Sequence, residues 1–149
     1  MRRITVILIL LFLTVASASA QLNVDRMFGG TYCNDPSVSE VVITGAQAKA
    51  IDKGLTRVAV FKGNAVRFGP IISKLVNADA RKASGRDIRY TGGKMSYAYI
   101  AVDGQGRKTT YIYYVGDAGK ASDRRVLLVI LEGTLSAKRQ AEVIRKIGK

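Results

Sequence analysis

The chain has 149 residues, with 24 Lys and Arg against 11 Asp and Glu, giving a formal net charge of +13. It holds no histidine and one cysteine, which excludes Ser-His-Asp and Cys-His catalysis, imidazole general bases, His-containing zinc sites and an internal disulfide. The length suits one domain with one real core, and the charge favours anionic partners attracted over long range.

The N-terminus reads as a secretory signal. Arg2 and Arg3 precede an apolar run from Ile4 to Val15, broken only by Thr5 and Thr14, and Ala18-Ser19-Ala20 offers a small-x-small cleavage site. The run is shorter than the roughly 20 residues a spanning helix needs, so removal is expected rather than anchoring. Residue 21 is Gln rather than the cysteine of a lipoprotein. Residues 1–20 are therefore expected to be a removed signal and residues 21–149 a soluble domain, periplasmic or extracellular, with no transmembrane segment. Export turns the charge argument away from nucleic acid and towards anionic envelope lipid, acidic glycan or an envelope protein.

Residues 22–28 suit a short helix, with Leu22, Val24, Met27 and Phe28 as its apolar contacts and Gly29-Gly30 as its stop. Cys33 precedes the turn-forming run Asn34-Asp35-Pro36-Ser37, and partial burial at a loop edge is expected for it. Residues 38–44 form a valine-rich strand, 46–53 a small helix stopped by Gly54, and 56–62 a continuous apolar strand suited to a sheet interior.

Pro70 marks a helix start, because its ring fits a first turn. Ile71, Ile72, Leu75, Val76 and Ala80 then recur at helical spacing until Ser84-Gly85. Pattern alone leaves open whether residues 64–68 join this helix. Beyond Gly92-Gly93, residues 96–103 and 107–115 form a hairpin around Gly104-Gln105-Gly106, with Gly106 left-handed. If Asp103 faces Arg107, Tyr97 lies opposite Tyr113 and Tyr99 opposite Tyr111, all four on one face. Residues 124–132 are apolar on both faces and need cover on both sides. Ser136 caps a last helix with Ala137, Ala141, Val143, Ile144 and Ile147 as its stripe. This order predicts a single-domain α+β fold, a mainly antiparallel sheet with amphipathic helices packed on it.

Three groups of residues bear on function. Tyr97, Tyr99, Tyr111 and Tyr113 form a surface whose rings can stack on a sugar, a lipid chain or a partner's side chain, although cross-strand aromatic pairs also stabilise hairpins with no ligand. Lys138, Arg139, Arg145, Lys146 and Lys149, with Arg124 and Arg125, form a candidate patch for anionic groups, although cations late in a helix also complement its dipole. Asp79, Asp87, Asp103, Asp117, Asp123, Glu132 and Glu142 are the carboxylates from which a histidine-free hydrolase would draw a pair, but they form no motif. Gly104 and Gly106 lack the rest of a dinucleotide fingerprint, and no Walker loop is present. No catalytic residue, metal site or cofactor is expected.

The run Val38-Ser39-Glu40-Val41-Val42-Ile43, the central helix, the late hairpin and Arg125-Val126-Leu127-Leu128-Val129-Ile130-Leu131-Glu132-Gly133-Thr134-Leu135 resemble an uncharacterised family of small exported Bacteroidetes proteins known only as a domain of unknown function. The chain departs from that pattern in its basicity and in the short link from Gly116 to Asp123. The resemblance carries over no catalytic residue. It implies a part in envelope signalling or maintenance, because genes of the family often lie near those of sigma factors and their membrane regulators. The leading expectation is a non-enzymatic exported envelope protein that binds a protein partner. A basic binder of anionic lipid or glycan is the alternative, and a hydrolase using paired carboxylates the second.

Overall fold

The computed structural model describes residues 21–104, 106, 108–118 and 121–147. The expected signal, residues 1–20, and Lys149 lie outside the described residues. The order is a 3-10 helix (Asn23–Met27), β1 (Ser39–Thr44), α1 (Gly45–Ile51), β2 (Leu55–Asn64), α2 (Ala65–Ala80), β3 (Gly85–Thr91), β4 (Lys94–Asp103), β5 (Thr109–Val115), β6 (Arg125–Gly133) and α3 (Ala137–Ile147). The strands form one six-stranded sheet ordered β1-β2-β6-β5-β4-β3, antiparallel at every junction. This is the expected α+β fold in a single domain.

The centre of the sheet is where the sequence is most apolar. In β6, Val126 and the run from Leu128 to Leu131 are buried, and β2 beside it buries residues 58–61. Each face is a separate core. On one, Ala59, Phe61, Ala98, Ile100, Ile112, Tyr114, Val126, Leu128 and Ile130 pack under the 3-10 helix and α2, which contribute Val24, Met27, Phe68, Ile72 and Val76. Phe61 and Phe68 lie 5.1 Å apart edge to face, and Tyr32 meets Phe68 at the same distance, the arrangement that ring quadrupoles favour. On the other face, Val58, Val60, Tyr111, Val129 and Leu131 pack beneath Ala48 of α1 and Val143 of α3.

Asp79 is buried near the end of α2 and holds the N-terminal segment in place. Its carboxylate accepts from the Asn23 backbone N–H at 2.7 Å, the Asn23 side-chain amide at 2.9 Å and the Val24 N–H at 2.9 Å. A buried carboxylate is costly unless its lone pairs are satisfied, and these donors satisfy them.

Several expectations need correction. α2 starts five residues before Pro70, capped by the Asn64 side chain, which accepts from the Arg67 N–H at 3.0 Å. Pro70 is tolerated inside the second turn, where it forfeits only the bond to the Val66 carbonyl, and Val66 faces solvent. The helix also ends at Ala80, short of Ser84. β3 was not foreseen. In α3, Val143, Ile144 and Ile147 pack on the sheet as expected, but Ala137 and Ala141 are exposed and Gln140 is the further buried residue. Cys33 is exposed rather than partly buried.

The hairpin register also differs. The Gly104 N–H donates to the Lys108 carbonyl at 2.9 Å, so the ladder runs one residue past Asp103 before it turns. Moving the turn by one residue moves every partner by two. Asp103 therefore faces Thr109, Tyr99 faces Tyr113, Tyr97 faces Val115 and Tyr111 faces Ala101. Gly106 has φ of 73°, the expected left-handed conformation.

Candidate ligand-binding face

Side chains alternate along a strand, so Tyr97, Tyr99, Tyr111 and Tyr113 share the face covered by α3. Their surroundings differ because α3 covers only one end of that face. Three rows of side chains cross the sheet there. The first, Val58–Leu131–Tyr111–Ala101, is buried throughout. The second, Val60–Val129–Tyr113–Tyr99–Asp87, is buried at Val60 and Val129 and half-buried from Tyr113 outward. The third, Lys62–Leu127–Val115–Tyr97–Arg89, has no buried member.

The covered end is held by polar contacts as well as packing. The Tyr111 hydroxyl donates to the Leu135 carbonyl at 3.1 Å, and the Gln140 amide donates to the same carbonyl at 3.0 Å. Gln140 then accepts from the Tyr113 hydroxyl at 2.6 Å. Ser136 caps α3 as expected, its hydroxyl accepting from the Arg139 N–H at 3.3 Å. Gln140 is thus a buried polar residue whose oxygen and nitrogen are both used. Tyr111 is buried, and its hydroxyl is committed to this network.

The open end is aromatic and charged. The Tyr99 and Tyr113 rings lie 4.9 Å apart at 45°. Arg89 stands 5.1 Å over the Tyr97 ring, a cation–π contact. Asp87 holds Arg89 there with two bonds, at 3.3 Å to Nε and 2.8 Å to Nη2. Burial pushes the Tyr97, Tyr99 and Tyr113 phenols above their ordinary range, Tyr113 furthest, because an ionised phenolate would lose its hydration there. At neutral pH these tyrosines are uncharged rings with polar tips. Lys62 and Arg89 bracket the third row with positive charge at either end, and Leu127, Val115 and Tyr97 lie between them.

The basic residues of α3 divide into two kinds. Lys138, Arg145 and Lys146 are exposed. Arg139 is committed to Asp52, in the turn after α1, through a 3.0 Å bond from Nε and a second from Nη2. The hydrogen bond from Arg139 holds the Asp52 carboxyl below its usual range, and the Gly54 N–H adds to this at 2.8 Å. Asp52 in turn raises the Arg139 guanidinium.

The carboxylates are dispersed among separate partners. Asp79 anchors the 3-10 helix, Glu132 and Asp25 flank Arg57, Asp123 pairs with Arg125, and Asp117 lies 3.8 Å from Arg124. Among the described residues, no group of three or more Asp, Glu and Cys side chains is placed to hold a metal ion. Among the same residues, no helix is long and apolar enough to cross a membrane.

Sequence reasoning placed the four tyrosines on one face but missed Lys62, Asp87, Arg89, Leu127 and Val115 beside them. One trace was legible: Asp87 and Arg89 stand two apart, which would put them on one face of a strand had β3 been recognised.

The fold and this face define a small single-domain α+β protein with one closed and one half-open sheet surface. Residues 11–144 match the model of the Family of unknown function (DUF6108), and the chain belongs to that family. No curated protein and no solved structure matches the chain.

Proposed function

We propose that the protein is a non-enzymatic exported component of the cell envelope, acting in envelope signalling or maintenance. It binds a protein partner through the open end of the tyrosine-bearing face. The observation that carries this reading is the third row, Lys62–Leu127–Val115–Tyr97–Arg89, a half-buried apolar and aromatic strip with no fully buried member and a cation at each end. Such a strip suits a partner segment with apolar side chains flanked by acidic ones, since aromatic anchors supply contact area and rim charges supply orientation. The export pattern at residues 1–20 supports the location.

The exposed Lys138, Arg145 and Lys146 support a second reading, binding of anionic lipid headgroups or acidic glycan through α3. Co-sedimentation of residues 21–149 with envelope membranes and with protein-free vesicles of their lipids, at low and high salt, separates the two. A protein partner predicts binding to membranes alone that survives salt and is lost in a Tyr97→Ser/Leu127→Ser variant that keeps its fold. Binding to both preparations that vanishes with salt, and is lost on changing Lys138, Arg145 and Lys146 to Glu, would sink the partner reading in favour of the lipid one.

A further inference from the structure

The two edges of the sheet are made differently. β3 carries Arg86, Asp87 and Arg89, charges of the kind that keep an exposed edge from pairing with another strand. β1, Ser-Glu-Val-Val-Ile-Thr, carries one charge, Glu40. From Met27 to Ala48 the chain has no Lys or Arg, although it has 24 in all. Val41 is 51% exposed and Val42 44%. As neighbours in a strand they stand on opposite faces, so no packing against the body of the protein buries either one fully.

The backbone shows which groups of β1 are available. The Ala65 N–H donates to the Arg124 carbonyl at 3.0 Å, continuing the β2–β6 register. In an antiparallel ladder, bonded residues alternate between the two neighbouring strands. Odd residues of β2 therefore bond β6, and Val58, Val60 and Lys62 bond Ile43, Val41 and Ser39 of β1. The N–H and C=O of Glu40 and Val42, and the Thr44 N–H, consequently point away from the sheet. Among the described residues, no turn or loop backbone bond ends on Glu40 or Val42.

We propose that β1 is a self-association edge, on which a second copy of this chain adds its own β1 antiparallel about a two-fold axis at Val42, joining two six-stranded sheets into one. Two features point to a second copy. In this register Val42 meets Val42 of the second copy, Val41 meets Ile43, and Glu40 meets Thr44, so every central pair is apolar and the one charged residue avoids its own image. An axis at Val41 would instead set Glu40 against Val42 and Ser39 against Ile43. The second feature is charge. Two copies of residues 21–149, which without Arg2 and Arg3 carry 13 − 2 = +11 each, repel each other, and the cation-free stretch from Met27 to Ala48 includes the edge along which they approach at least cost. The pairing uses neither the tyrosines nor α3, so Tyr97 and Leu127 variants leave it unchanged.

A single strand pair is a small interface, with an expected Kd of roughly 10–100 µM. Sedimentation of residues 21–149, which carry the whole described fold, is expected to show a monomer–dimer equilibrium. The dimer should strengthen as salt rises from about 0.1 to 0.5 M, because salt screens the net repulsion. Val42→Pro removes an outward N–H without breaking an intrachain bond and should leave a folded monomer. Val42→Lys, which adds a charge at the axis, should do the same even if the proline variant misfolds. In a Cys33→Ser background, Val42→Cys should form an intermolecular disulfide faster than Val41→Cys, because a bonded cross-strand pair at the axis lies within disulfide reach. The proposal is overturned by a monomer up to about 300 µM at both salts, by dimers of Val42→Lys as strong as wild type, or by faster cross-linking of Val41→Cys.

Discussion

The two faces of the sheet differ in how far they are closed. Beneath the 3-10 helix and α2, burial runs from Phe61 in β2 to Ala98 and Ile100 in β4, and the aromatic contacts among Phe28, Tyr32, Phe61 and Phe68 hold residues of the loop between the 3-10 helix and β1 against the sheet. Beneath α3, burial fades row by row from Tyr111 to Tyr97. An 11-residue helix is about 16 Å long, too short to cover the far end of strands of seven to ten residues. Both faces carry a buried core, but only the one beneath α2 is closed along its length. On the other face, a short helix leaves a strip of aromatic and aliphatic side chains only half-buried.

The largest effects should come from opening the closed face. Phe61 is fully buried at the hub of its aromatic cluster, and Phe61→Ala should cost about 3–5 kcal/mol in urea unfolding through lost burial and a residual cavity. Asp79→Ala strips the Asn23 and Val24 donors of their acceptor and should cost about 2–4 kcal/mol. Hydrogen exchange should also quicken at residues 22–28 ahead of the sheet. If Asp79→Ala unfolded only globally, with no local opening at those residues, its role as an anchor for the N-terminal segment would be wrong.

Those two residues also show what was legible in the sequence. Phe61 lies in a short, continuous apolar run bounded by turn residues, and such runs marked β2 and β6 as interior strands. Asp79 looked like one carboxylate among several, because its partners are more than fifty residues away in sequence. β3 was illegible for a physical reason: an edge strand carries charge where an interior strand carries core, so Gly-Arg-Asp-Ile-Arg-Tyr-Thr gives no apolar alternation. Strand parity alone put the four tyrosines on one face, but their partners depended on where a hairpin turned. The third row needed the strand order and four registers together, and no local pattern encodes that.

At the covered end of the α3 face, effects should be smaller and dependent on pH. Tyr113→Phe removes the hydroxyl bonded to Gln140 and should cost about 0.5–1.5 kcal/mol near neutrality. Burial raises the Tyr113 phenol in the folded state, so its contribution is complete below the unfolded value of about 10 and is lost as pH rises beyond it. Chemical denaturation across alkaline pH should show the wild type losing stability more steeply than Tyr113→Phe. Asp52 has the opposite sign. Its folded pKa is lowered by the bond from Arg139, so its stabilising effect is present above the unfolded value of about 3.9 and disappears as pH falls through the folded one. Arg139→Gln should lower the Tm slightly at neutral pH, and the gap from wild type should close in acid. A gap independent of pH would mean that Arg139 acts through packing of its stem.

The smallest effect on stability is expected where the effect on binding is largest. Tyr97 sits half-buried in the third row under the exposed Arg89, and a cation–π contact at an exposed site is worth only about 0.5–1 kcal/mol. Tyr97→Ser should therefore change the unfolding midpoint little while it weakens attachment to envelope membranes. Its neighbours sharpen the contrast: Tyr99→Ser should do both, because Tyr99 packs on Tyr113 at the boundary between the covered and open rows. The strip proposed to bind can be altered residue by residue without endangering the fold, because the buried core of both faces lies outside it. If Tyr97→Ser destabilised the domain as much as Phe61→Ala, the third row would be core, and the partner would have to be sought on another surface.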